Sequence, residues 1–116
     1  MLQRKSADEL NAITSDVVND IIGLLKNDVY KIILYGSYAR GDADDESDID
    51  IMILLNCDKD RIPECRKQIV KIASSASLKN DVEVSLLLRD KETFEQNRKI
   101  LPFYQNVIRE GVTLYG

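Results

Sequence analysis

Apolar residues recur along this chain in two alternating rhythms, three or four apart and then nearly continuous. Leu10, Ile13, Val17, Ile21 and Leu24 keep the spacing that lines one face of a helix. Ser6, with Glu9 three residues on, has the form of a capping box, so a first helix is predicted from there to near Asn27. Val29–Tyr35 (VYKIILY) is then a nearly unbroken apolar and β-branched run, suited to a buried central strand. A short helical turn and a polar loop are expected over 38–47, before a second strand at Ile49–Leu55. Beyond Asn56, the positions Ile62, Ile69, Ile72, Ala73 and Ala76 mark a second amphipathic helix, with Pro63 tolerated in its first turn. Asp81–Leu88 (DVEVSLLL) reads as a third strand, with Asp81, Glu83 and Ser85 on one face and Val82, Val84 and Leu86 on the other. Asp90 is placed to cap a short helix over Thr93–Lys99, and Pro102 to open another through FYQNVIRE that Gly111 closes. Val112–Tyr115 is a short final strand, and Tyr104, Val107, Ile108 and Leu114 are assigned to the core.

The chemistry concentrates in Tyr35–Ile53, YGSYARGDADDESDIDIMI. A chain that turns sharply at Gly36 can bring backbone N–H groups and the Ser37 hydroxyl against a phosphate, because glycine has no Cβ to hold the ligand away. A helix beginning at Ser37–Arg40 would add unpaired donors and a positive dipole end. Within a strand, Asp48 and Asp50 share a face while Ile49, Ile51 and Ile53 take the other. Two such carboxylates repel unless something positive sits between them, and a hard divalent cation is the usual solution. If the first two strands are antiparallel neighbours, the end of one lies beside the start of the next, which brings Ser37 to Asp48 and Asp50.

Other readings of these letters fail on specific positions. Gly36 to Gly41 has the spacing of a P-loop, but Asp42 stands where that motif needs lysine. Asp42, Asp44 and Glu46 open like a calcium loop, yet Ser47 occupies the place of the turn glycine and no glutamate follows at the required distance. A merely solvated loop would suit six acids against one base between Gly36 and Asp50. It does not account for acids that alternate into an apolar strand.

Composition narrows the partners. The chain of 116 residues carries a net charge of -4 with pI about 4.8, so it lacks the general electrostatic footprint of a protein that binds free nucleic acid. Its length suits a single domain over 1–116. No apolar run approaches a membrane span and the first residues lack the apolar core of a signal peptide, which makes the cytoplasm the expected compartment. Cys57 and Cys65 lack CxxC spacing and are expected to be reduced. Histidine is absent, so Ser-His-Asp and Cys-His catalysis are excluded and a general base must be carboxylate, lysine or tyrosine.

The string GS, ten residues, then DID, set between apolar runs, resembles the active-site signature of the polymerase-β-like nucleotidyltransferases. The nearest branch in pattern is the minimal nucleotidyltransferases (MNT), the antitoxins paired with HEPN toxins; FYQNVIREGVTLYG resembles the ending of that branch. The resemblance implies an α/β (α+β) fold, a small mixed sheet flanked by helices. It also implies a triphosphate seated at Gly36 and Ser37 with Arg40 nearby, and magnesium held by Asp48, Asp50 and a third carboxylate. Glu83 matches that third place best, although many members have aspartate there, and Asp81 competes with it. The implied reaction moves AMP from ATP to a tyrosine of a partner HEPN RNase toxin. Two alternatives stand beside it: a module that neutralises its partner by contact alone, and a transferase acting on a small molecule such as an antibiotic.

Overall fold

A computed structural model describes residues 3–116. Helix α1 (Ala7–Leu25) begins with the expected capping box: Glu9 N–H donates to Ser6 Oγ at 3.2 Å and Ser6 N–H to Glu9 Oε1 at 2.9 Å. Its buried stripe is Ile13, Val17, Ile21 and Leu25, whereas Leu24, placed in the stripe by sequence, is 44% exposed. At 3.6 residues per turn the buried face drifts, and by the last turn it has moved one position on.

A 3-10 turn at Lys26–Asp28 leads into β1 (Val29–Tyr35). After Gly36 come the single turn α2 (Ser37–Arg40), the acidic loop and β2 (Ile49–Leu55). Helix α3 (Ile62–Asn80) crosses back to β3 (Val84–Asp90), followed by α4 (Lys91–Asn97), α5 (Pro102–Glu110) and β4 (Val112–Tyr115). The sheet order is β3-β2-β1-β4, with β1 antiparallel to both neighbours and β2 parallel to β3. A parallel pair needs a long crossover, which α3 supplies. The architecture is therefore the expected mixed sheet flanked by helices.

Strand β2 is the centre of the core because both its faces are covered. Ile49, Ile51, Ile53 and Leu55, all 0% exposed, pack in one cluster with Ile13, Val17, Ile21 and Ile69 of α1 and α3. Met52 and Leu54 pack on the other side with Ile33, Phe94, Tyr104 and Val107. Among the described residues, no helix is long and apolar enough to cross a membrane. Cys57 and Cys65 are free thiols.

Two boundaries and one core assignment differ from the pattern reading. Strand β3 starts at Val84 because Asp81 ends α3 in the left-handed conformation (φ 53°, ψ 47°), which takes it off the strand. Ile108 is 42% exposed: the buried face of α5 is Tyr104 and Val107, and the next residue lies about 100° further round. Helix α4 begins at Lys91, since Asp90 caps it directly. Gly111 does close α5, but in extended backbone (φ −70°, ψ 152°). Glycine is needed there because a Cβ would run into Val107 O and Ile33 Cγ2.

The Asp90 carboxylate, 6% exposed, accepts from Thr93 N–H at 2.9 Å. Asp90→Ala is expected to cost about 1 kcal/mol in urea unfolding, as loss of an N-cap does, while Asp90→Asn retains most of that stability.

Candidate active site

The antiparallel register pairs Tyr35 with Asp50, so the residue after β1 arrives beside the first turn of β2. That residue is Gly36, at φ 77° and ψ −160°, a backbone conformation L side chains rarely adopt. A Cβ at this position would also overlap the Asp50 carboxylate. The backbone conformation calls for glycine, and a side chain would in addition displace the Asp50 carboxylate. The turn it starts is held by Ala39 and Arg40 N–H donating to Gly36 O, each at 3.1 Å, and ends at Gly41 in the left-handed conformation. Buried Tyr38 anchors the turn beneath, its hydroxyl accepting from Lys5 N–H at 2.9 Å.

The two aspartates follow from the burial of their neighbour. Ile49, between them, is 0% exposed in the core, so in extended backbone Asp48 and Asp50 project to the opposite side. Asp48 is exposed and Asp50 half-buried. Burial raises the pKa of Asp50 above its ordinary value, the Asp48 charge raises it further, and Arg40 opposes both. Tyr35 is pushed up to about 12 by burial and by Asp50, against a lowering from Arg89. Arg40 makes an ion pair with Asp42 (Nε to Oδ2, 3.2 Å) and another with Glu110 (Nη1 to Oε2, 3.4 Å), which connects α2 to the end of α5.

Tyr35, Gly36, Ser37, Arg40 and Asp50 line one side of an open cleft of about 350 Å³ and α5 the other, while Asp48 lies outside this lining. A roomier depression of about 710 Å³ lies at the far end of β2, around Asn56, Arg61 and Lys91. It contains none of the candidate residues and no paired strand-borne acids, so chemistry rather than size selects the smaller cleft.

Glu83 stands apart from this group. It precedes β3, an edge strand, with an exposed side chain, and its carbonyl accepts from Ile49 N–H at 2.9 Å, which sets it next to Asp48. Among the described residues no three acidic or thiol side chains converge on a common metal position. Asp81, at the end of α3, is removed from the strand altogether. For a divalent cation the structure thus offers the Asp48–Asp50 pair. Its oxygen-only donors suit a hard ion, and the pKa of its half-buried member is raised by burial and then by the Asp48 charge, which such an ion would offset. The pattern reading missed the α5 wall, Phe103, Asn106 and Glu110. Their spacing of three and then four residues is an ordinary helical one, and it gained meaning only when α5 was packed against β1.

A family model described as "Nucleotidyltransferase domain" matches residues 16–111, which takes in the turn, both aspartates and α5. The chain belongs to that family. Two similar proteins of Methanocaldococcus jannaschii carry the provisional name protein adenylyltransferase. One is 41% identical over 83 residues, covering 72% of this chain and 82% of its own; the other is 37% identical over 101 residues, covering 86% and 92%. A solved toxin–antitoxin structure with AMP-PNP overlays at a TM-score of 0.55 and 22% identity, covering 87% of this chain and 72% of that one. At that identity the overlay shows a shared fold. The protein is thus a nucleotidyltransferase.

Two outcomes follow for this nucleotidyltransferase. Gly36→Ala combines a strained φ with a side-chain overlap, and is expected to lose about 1–2 kcal/mol or more in stability together with nucleotide binding, read by denaturation and calorimetry. For Asp50 the folded pKa lies above the ordinary 3.8. Its contribution to stability is therefore complete below that pH and is lost as pH rises through the raised value. At pH 7, in chelator, Asp50→Asn should melt at a higher temperature than the parent, and a lower melting temperature would contradict the electrostatics described.

Proposed function

We propose that the protein is a magnesium-dependent nucleotidyltransferase that moves AMP from ATP to a tyrosine hydroxyl of a partner HEPN-type RNase toxin, and thereby acts as its antitoxin. The observation carrying this reading is the meeting of the glycine turn with Asp50 at one open cleft, with Asp48 immediately ahead of the same strand. The names of the Methanocaldococcus jannaschii relatives support protein as the acceptor class. The toxin–antitoxin fold neighbour, crystallised with an ATP analogue, supports both nucleotide and partner.

In this mechanism the N–H groups and hydroxyl at Gly36 and Ser37 seat the terminal phosphates. Arg40 exchanges its ion pairs with Asp42 and Glu110 for phosphate oxygens, a small loss because exposed pairs are weak. Asp48 and Asp50 hold the divalent metal, which when bound offsets phosphate charge and acidifies the attacking hydroxyl. The tyrosine oxygen forms a bond to the α-phosphorus, the bond to the bridging oxygen of the β-phosphate breaks, and pyrophosphate departs with that electron pair. The hydroxyl proton passes to a carboxylate at the open edge of the site, the role assigned to Glu83. The position of this residue next to Asp48 fits a proton acceptor facing an incoming protein better than a ligand enclosed with the pair.

The test is intact-mass measurement of the copurifying partner before and after incubation with ATP and magnesium. The parent should add one or more AMP units. The Asp48→Asn, Asp50→Asn variant should be slower by at least about a thousandfold, equivalent to several kcal/mol of lost transition-state stabilisation. Full activity in the folded variant, or neutralisation of the partner without ATP, would overturn the catalytic reading.

A further inference from the structure

The candidate cleft has two chemically different ends, both set by α5. Phe103 and Glu110 are seven residues apart on nearly the same helical face, about 10 Å along the axis. Glu110 meets Arg40 at the charged end. Phe103 meets Tyr35 at the other, in a T-shaped contact with ring centroids 5.6 Å apart and planes at 83°. A second contact, with Tyr104 at 5.6 Å and 48°, braces the same ring from within the helix. Although held by two aromatic neighbours, Phe103 remains 43% exposed and lines the cleft. A ring fixed in place and left open to a cleft is a ready stacking surface, since little side-chain entropy remains to be lost on binding.

Asn106, one turn along the same wall, supplies the polar complement. Its Oδ1 accepts from Arg109 Nη2 at 2.6 Å. This orients the amide and leaves the Nδ2 hydrogens without a partner among the described residues. The aromatic end thus presents a flat apolar surface and two amide N–H donors, with Arg109 against Asn106 and Asp50 across the strand pair from Tyr35, whereas Gly36, Ser37 and Arg40 lie at the turn.

We propose that this end is a nucleobase site, in which the base of the bound triphosphate stacks on Phe103 and Asn106 donates to acceptors on its edge. The inference rests on the nucleotidyltransferase reading of the cleft and names the part of the nucleotide that α5 receives. Stacking tolerates any base because each has a π-face, whereas an amide donor favours bases with an acceptor at the matching place. Phe103 therefore sets affinity, and Asn106 sets preference among bases.

The experiment compares calorimetric binding of ATP and of inorganic tripolyphosphate, each with magnesium, to the parent, Phe103→Leu, Phe103→Trp and Asn106→Ala. Leucine keeps apolar packing on Tyr35 but removes the flat ring; tryptophan restores one. Phe103→Leu should weaken ATP by about tenfold, the loss of one base-stacking contact, leave tripolyphosphate unchanged, and be rescued by Phe103→Trp. Asn106→Ala should narrow the difference between ATP and the other nucleoside triphosphates. Unchanged ATP affinity in Phe103→Leu would overturn the base site while leaving the phosphate site standing, as would an equal loss for both ligands. Failure of the parent to bind either ligand would overturn the cleft assignment itself.

Discussion

The site depends on one close approach: the backbone of Gly36 against the carboxylate of Asp50, imposed by the pairing of Tyr35 with Asp50 across β1 and β2. Every other feature takes its position from that contact. Shifting the register by one residue would put Ile49 and Ile51 in the cleft and the aspartates in the core, because side chains alternate in a strand. The register is in turn held by the most deeply buried row of the protein, Ile49, Ile51, Ile53 and Leu55, each 0% exposed. Hydrophobic burial on one face of β2 thus fixes the electrostatics on the other.

Those electrostatics work against folding. Asp50 is half-buried beside a second carboxylate, and the nearest cation is shared with Asp42 and Glu110. Such an arrangement weakens the empty protein and strengthens its hold on a positive ligand, a common trade at functional sites. The same logic accounts for Tyr35, whose hydroxyl is kept firmly protonated by burial and by the Asp50 charge. It stays a neutral wall of the cleft and adds no further negative charge.

Local chemistry made much of this legible in the sequence. The capping box, the glycine turn, the two aspartates and the isoleucines between them are short-range patterns, and each emerged where periodicity placed it. What the letters left open depended on packing between distant segments. Leu24 and Leu25 could not be told apart without knowing where α1 meets the sheet. Ile108 looks as apolar as Val107, yet only the helix orientation over β1 decides which of them is covered. Phe103 read as an ordinary helix residue, and its place on the cleft wall follows from α5 lying across the end of β1. Asp81 was drawn into the third strand by alternation that continues past a helix end, where a left-handed residue breaks it.

The cleft is assembled from parts with very different chain separations. Tyr35 and Asp50 are fifteen residues apart, while β1 meets β4 through Leu34 and Val112, which are seventy-eight apart. Loop-closure entropy rises with separation, so the turn and the acid pair form a local unit, whereas α5 is tethered through a distant edge strand of four residues. Partial opening of the protein should begin at that short edge and release the helical wall first. The two aspartates would then stay assembled while the cleft breathes, giving bulky ligands a way in and out that leaves the acid pair intact.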